Sequence, residues 1–86
     1  MVDLTEVKAR VEGNFLDARG LSCPLPLLKM KLALKTMEAS EKLRVLTTDE
    51  GSVRDFKAFC ELAGHLLEEL TVHDDYFEFL IINIIN

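Results

Sequence analysis

The sequence predicts an α+β fold: a two-layer α/β sandwich of order βαβαββ, with two helices on one face of a four-stranded mixed sheet. Three observations carry it. Two segments space their apolar residues at helical intervals between turn-forming residues, β-branched runs precede or follow them, and two strand-like runs close the chain around the short linker His73-Asp74-Asp75.

Residues 1–13 carry only Leu4, Val7 and Val11 at loose helical spacing before Gly13, and are read as an N-terminal arm. The single domain then runs over residues 14–86. Asn14 to Ala18 brings Phe15 and Leu16 ahead of the turn residue Gly20, as a short first strand should. From Pro24 to about Met37, Leu27, Met30, Leu34 and Met37 recur every three or four residues, which predicts an amphipathic helix with Lys31 and Lys35 in solvent. At this spacing the methionines are core residues rather than soft-metal ligands. Leu43 to Thr48 alternates as a second strand, so a βαβ unit is the simplest topology. Asp49 to Ser52 supplies turn and cap chemistry for a second helix whose apolar face, Val53, Phe56, Phe59 or Cys60, and Ala63, ends at Gly64. Leu66–Val72 and Tyr76–Ile85 then pair as an antiparallel hairpin. The last of these strands becomes apolar on both faces, so its outward residues call for a cover: the arm, or self-association through the C-terminal strand.

Composition sets the class. Eighty-six residues, 49% hydrophobic and 29% charged, make one small globular domain with no apolar run long enough to span a bilayer, so no membrane partner is expected. The N-terminus has neither the basic start nor the apolar stretch of a secretory signal, and the expected location is the cytoplasm. A net charge of −5 argues against direct nucleic-acid binding, which needs a concentrated cationic face. No glycine-rich phosphate loop supports ATP use and neither histidine belongs to a zinc spacing, so no cofactor and no metal site is read.

The chemistry concentrates in Leu21-Ser22-Cys23-Pro24-Leu25-Pro26. With Pro24 preset for the first helical position, Cys23 falls at the N-cap, where the helix end and the Leu25 N–H favour thiolate over thiol. Pro26 stands where a Cys-x-x-Cys motif would carry its resolving cysteine, so no local disulfide can close. An activated lone thiol suits taking up and passing on a covalent sulfur adduct better than electron shuttling. Its alternative is a small residue capping a helix. Cys60, 37 positions away among Phe56, Phe59 and Leu62, reads as buried structure, with a remote resolving role the minority view. Arg19, Lys29, Lys31 and Lys35 surround the motif without an acidic residue on the first helix before Glu38, and make either a solvated face or a docking surface for an acidic partner.

The motif also carries a resemblance. Leu16-Asp17-Ala18, Gly20-Leu21, Cys23-Pro24-Leu25-Pro26 and later Asp49, Arg54-Asp55, Phe59-Cys60 and His65 make the chain, from Phe15 onward, similar to the TusA/SirA-like sulfur-carrier family. The resemblance implies the same βαβαββ sandwich and a persulfide carried on Cys23. It also implies a sulfur donor such as a cysteine desulfurase or a rhodanese-like protein, an acceptor sulfur-relay protein, and a use in tRNA thiolation or other sulfur metabolism. Turnover would then depend on partner proteins. The 13-residue arm and the Ile-Ile-Asn-Ile-Ile-Asn tail depart from a bare carrier and leave the partners open. Arg54 and Asp55 read as a pair within the second helix's first turn, a structural role, and His65 as part of the turn after Gly64. Two rival readings stand beside the carrier: a non-catalytic interaction or regulatory module using the basic helix and the tail, and a thiol redox regulator, which needs Cys60 to approach Cys23 or a disulfide between chains.

Overall fold

The computed structural model describes residues 14–84, so the arm at 1–13 and the last two residues lie outside the described part of the chain. The order is β1 (Asn14–Ala18), α1 (Leu25–Lys35), β2 (Lys42–Thr47), α2 (Gly51–Ala63), β3 (Leu66–Val72) and β4 (Phe77–Ile82). The four strands form one mixed sheet in the order β1-β2-β4-β3. β1 and β2 are parallel with Leu16 opposite Val45, β2 and β4 are antiparallel with Val45 opposite Phe79, and β3 and β4 form the hairpin. The βαβαββ order, the mixed sheet and the two-helix layer are those the sequence predicts.

Alternation along the strands decides which residues meet the helices. Leu43 and Val45 of β2 and Phe79 and Ile81 of β4 are buried with Met30 and Leu34 of α1, Met37 just beyond it, and Phe56 and Cys60 of α2. The Phe56 and Phe79 rings lie 4.5 Å apart, tilted by 45°, and join α2 to the sheet centre. α2 ends where Gly64 takes a left-handed φ of 86°, and both Gly64 and His65 donate their N–H groups to the Cys60 carbonyl. α1 is shorter than its apolar pattern. It stops at Lys35 because the Thr36 and Met37 N–H groups turn back three residues, to Ala33 and Leu34, while Met37 still reaches the core.

The two-sided apolar character of the last strand follows from its place inside the sheet. β4 is hydrogen-bonded to β2 on one side and β3 on the other, so pairing through its backbone is closed to a second copy, and the sheet edges belong to β1 and β3. On the face away from the helices, Leu46 and Leu80 are 9% exposed beside the Arg44–Glu78 ion pair, and His73 Nε2 lies 2.8 Å from the other Glu78 oxygen. Beyond β4, the buried Asn83 side chain donates to the Met37 and Glu38 carbonyls, and its backbone exchanges hydrogen bonds with Ser40 and Glu41. That amide ties the end of the sheet to the loop after α1. No helix among the described residues is long and apolar enough to cross a membrane.

Candidate functional site

Because β1 and β2 are parallel, the loops that leave their C-terminal ends lie side by side. One leads into α1 and carries Cys23; the other leads into α2 and carries Asp49. The two loops meet beside the first turn of α2. Gly20, with a left-handed φ of 84°, donates its N–H to Thr48 Oγ1 at 2.9 Å and clamps the first loop to the second. Beneath it, the buried Thr47 hydroxyl donates to Ser52 Oγ, which itself donates to the Asp49 carbonyl, both at 2.6 Å. The start of α2 is thereby pinned to the end of β2.

Cys23 sits in a turn rather than at the helix cap. The Leu25 N–H donates to the Ser22 carbonyl at 2.9 Å, and the cis Cys23–Pro24 peptide lies within this turn. Pro24 is therefore the N-cap, with φ −100°, and its carbonyl accepts the first helical bond, from Leu28. Leu25 and the buried Pro26 occupy the first two helical positions. The predicted placement, with Cys23 at the cap and the Leu25 N–H on its sulfur, is corrected: that N–H is spent closing the turn.

The thiol is exposed and donates instead to Asp55 Oδ2 on α2, at 3.4 Å. This contact overturns the expected acidity. The Asp55 carboxylate holds the Cys23 pKa above the ordinary thiol range, with desolvation and the charge of Asp49 adding in the same direction and Arg54 opposing them. A carboxylate at hydrogen-bond distance outweighs the partial charge of a helix end. Cys60 is also raised, to about 11, by burial. It is a core residue with no access to a partner, as expected, and both cysteines are free.

The predicted basic surroundings of the motif divide into three parts. The Arg19 guanidinium donates to both Asp17 oxygens at 2.9 and 3.0 Å and lies 5.2 Å from the Tyr76 ring centre. Lys31 sits 5.3 Å from the Phe59 ring centre. Lys31 and Lys35 line an open groove of about 320 Å³ with Leu28 and Leu32, while Lys29 is exposed on the same helix. Leu25, Leu28 and Leu32 are 46%, 47% and 64% exposed, so α1 shows a stripe of leucine and lysine running away from Cys23. The sulfur is thus faced by Asp55 and Asp49 with Arg54 opposing them, while the lysines of α1 lie along the helix that follows.

His65 does not join the thiol. Its Nδ1 accepts the Ile84 N–H at 3.2 Å and its ring lies 5.9 Å from that of Phe59. Asp55 and Asp49, read from the sequence as structural residues of a helical pair and a turn, are brought to the thiol by the fold. The parallel βαβ order already placed the start of α2 beside the Cys23 loop, and that was the available signal.

The sequence profile described as Sulfurtransferase TusA matches residues 14–83, nearly all of the described chain. The chain belongs to this TusA family. It is 47% identical over 66 residues to the sulfur carrier protein TusA of Allochromatium vinosum, covering 77% of this chain and 87% of that protein. Among solved structures, the SirA-like protein of Desulfitobacterium hafniense superposes with a TM-score of 0.70 at 28% identity, over 81% of this chain and 96% of that one. The TusA-family match spans both loops, and with them Cys23, Asp49 and Asp55.

Proposed function

We propose that this TusA-family chain is a sulfur carrier that accepts a sulfur atom as a persulfide on Cys23 and relays it to an acceptor protein. The observation that carries the reading is the pairing of one exposed thiol, on the loop before α1, with a second thiol sealed in the core. Without an accessible resolving cysteine in the described chain, an adduct on Cys23 leaves only by attack from outside. The donor is a protein persulfide such as that of a cysteine desulfurase or rhodanese-like protein, and the acceptor is another thiol-bearing relay protein. Delivery into tRNA thiolation is one route open to such a relay, chosen by the acceptor.

The leucine and lysine stripe on α1 is the docking surface in this reading. Lys29, Lys31 and Lys35 share a helix with no acidic residue in a chain of net charge −5, which fits a partner presenting an acidic rim around an apolar patch. Arg19 stands apart from this stripe, on the loop before α1, paired with Asp17. The test is intact-mass analysis after incubation with a cysteine desulfurase and cysteine. Native protein and Cys60→Ser are expected to gain one reducible sulfur atom, and Cys23→Ser none. Loading of Cys23→Ser but not of Cys60→Ser would sink the assignment.

A further inference from the structure

The contact between Cys23 and Asp55 joins residues 32 apart in sequence, one in the β1–α1 loop and the other on α2. It has no part in holding the sheet, and it aims a carboxylate at the only exposed thiol of the described chain. The Asp55 side chain is 24% exposed, and its second oxygen lies 3.8 Å from the Arg54 guanidinium, which is itself 86% exposed and so well screened. Asp49, on the neighbouring loop, adds a second negative charge and has one buried oxygen without a hydrogen-bond partner. The groups facing the sulfur are therefore Asp55 and Arg54 from α2 and Asp49 from the β2–α2 loop.

We propose that Asp55 is a positioning residue that biases Cys23 toward the unloaded, hydrogen-bonded thiol, so that the carrier hands sulfur on rather than retaining it. The proposal rests on the persulfide reading above. A thiol can donate its proton to a carboxylate, whereas a thiolate or a persulfide anion cannot and is repelled by it. A persulfide is a stronger acid than its parent thiol, so the loaded side chain is the more anionic of the two at neutral pH. Asp55 therefore stabilises the empty carrier and destabilises the full one.

The steps balance without an added oxidant. In loading, the Cys23 sulfur, its proton released to solvent, attacks the terminal sulfur of a donor persulfide. A new S–S bond forms, the donor's S–S bond breaks, and the donor sulfur departs with the electron pair as a thiolate. In unloading, an acceptor thiolate attacks the terminal sulfur on Cys23. Cys23 leaves as thiolate, takes a proton from solvent and donates it again toward Asp55.

The test compares native protein with Asp55→Asn, which keeps the size and loses the charge, Asp55→Ser as a second neutral variant, and Asp55→Glu as the conservative one. Two readouts are taken. The first is the pH profile of Cys23 alkylation by iodoacetamide, followed on the Cys23 peptide. Both neutral variants are expected to move its midpoint down and make the thiol several-fold more reactive near neutral pH, with Asp55→Glu returning toward native. The second is the equilibrium fraction of loaded Cys23 in mixtures of glutathione persulfide and glutathione. Asp55→Asn is expected to reach half-loading at a several-fold lower ratio. Superimposable profiles for native and neutral variants overturn the hold on the thiol, and equal half-loading ratios overturn the bias. A native protein that takes up no sulfur overturns the carrier reading and the bias with it, while the alkylation profile still decides the hold.

Discussion

Cys23 and Cys60 are the same residue in two parts of one small fold, and both are weaker acids than a free thiol for unrelated reasons. Cys23 is raised by a hydrogen-bonded carboxylate at the start of α2, Cys60 by burial between α2 and the sheet. What separates them is access. In the proposed carrier, Cys23 is set apart by its exposure and by the burial of the other thiol, not by a depressed pKa. Access also separates what can be tuned: a charge beside an exposed group can be altered by one substitution or by a docked partner, whereas burial yields only when the core opens.

The largest test of this contrast is reactivity in the folded protein. Iodoacetamide is expected to modify Cys60 about a thousandfold more slowly than Cys23, because Cys60 needs an opening that costs most of a small domain's stability. Peptide-resolved alkylation rates check it, and comparable rates would place Cys60 within reach of the surface. A smaller effect comes from loosening the core around Cys60. Phe56→Ala removes the ring packed on Phe79 and is expected to cost about 3–5 kcal/mol in denaturant unfolding. It should also narrow the gap between the two cysteines by speeding Cys60 alone. The smallest lies on the opposite face of the sheet. There Glu78 is held below the usual carboxylate range, first by its hydrogen bond to His73 and also by Arg44, against the effect of burial. A depressed folded-state pKa adds stability above the ordinary carboxylate range, and that stability is lost as pH falls through the folded value. Glu78→Gln is therefore expected to cost about 1 kcal/mol at pH 7, with the gap closing below about pH 4. Unfolding curves at both pH values read it, and reactivity at Cys23 should not follow.

The fold was legible because its elements announce themselves locally. Gly64 after the face of Phe56 and Cys60 set the end of α2, and the His73-Asp74-Asp75 linker set the hairpin. The start of α1 was less legible, because proline at two alternating positions is compatible with a cap at Cys23 or at Pro24. The choice was made by the Ser22 carbonyl, which took the Leu25 N–H. Asn83 was hidden for another reason: in an apolar tail it looks like an interruption, and only the fold shows the two carbonyls it satisfies. The thiol itself was evident from its motif. Its acidity was not, since that depends on Asp55, 32 residues later, and a local reading of the helix end gave the opposite sign.

The central claim is that sulfur travels on Cys23, and site-resolved mass mapping tests it most directly. The native protein is loaded by a cysteine desulfurase with cysteine, trapped with an alkylating reagent and cleaved at lysine and arginine. The account predicts one additional sulfur atom on the peptide Gly20–Lys29, removed by reduction, with the Cys60 peptide unchanged. Additional sulfur on the Cys60 peptide, or a reducible disulfide joining the two peptides, would contradict it.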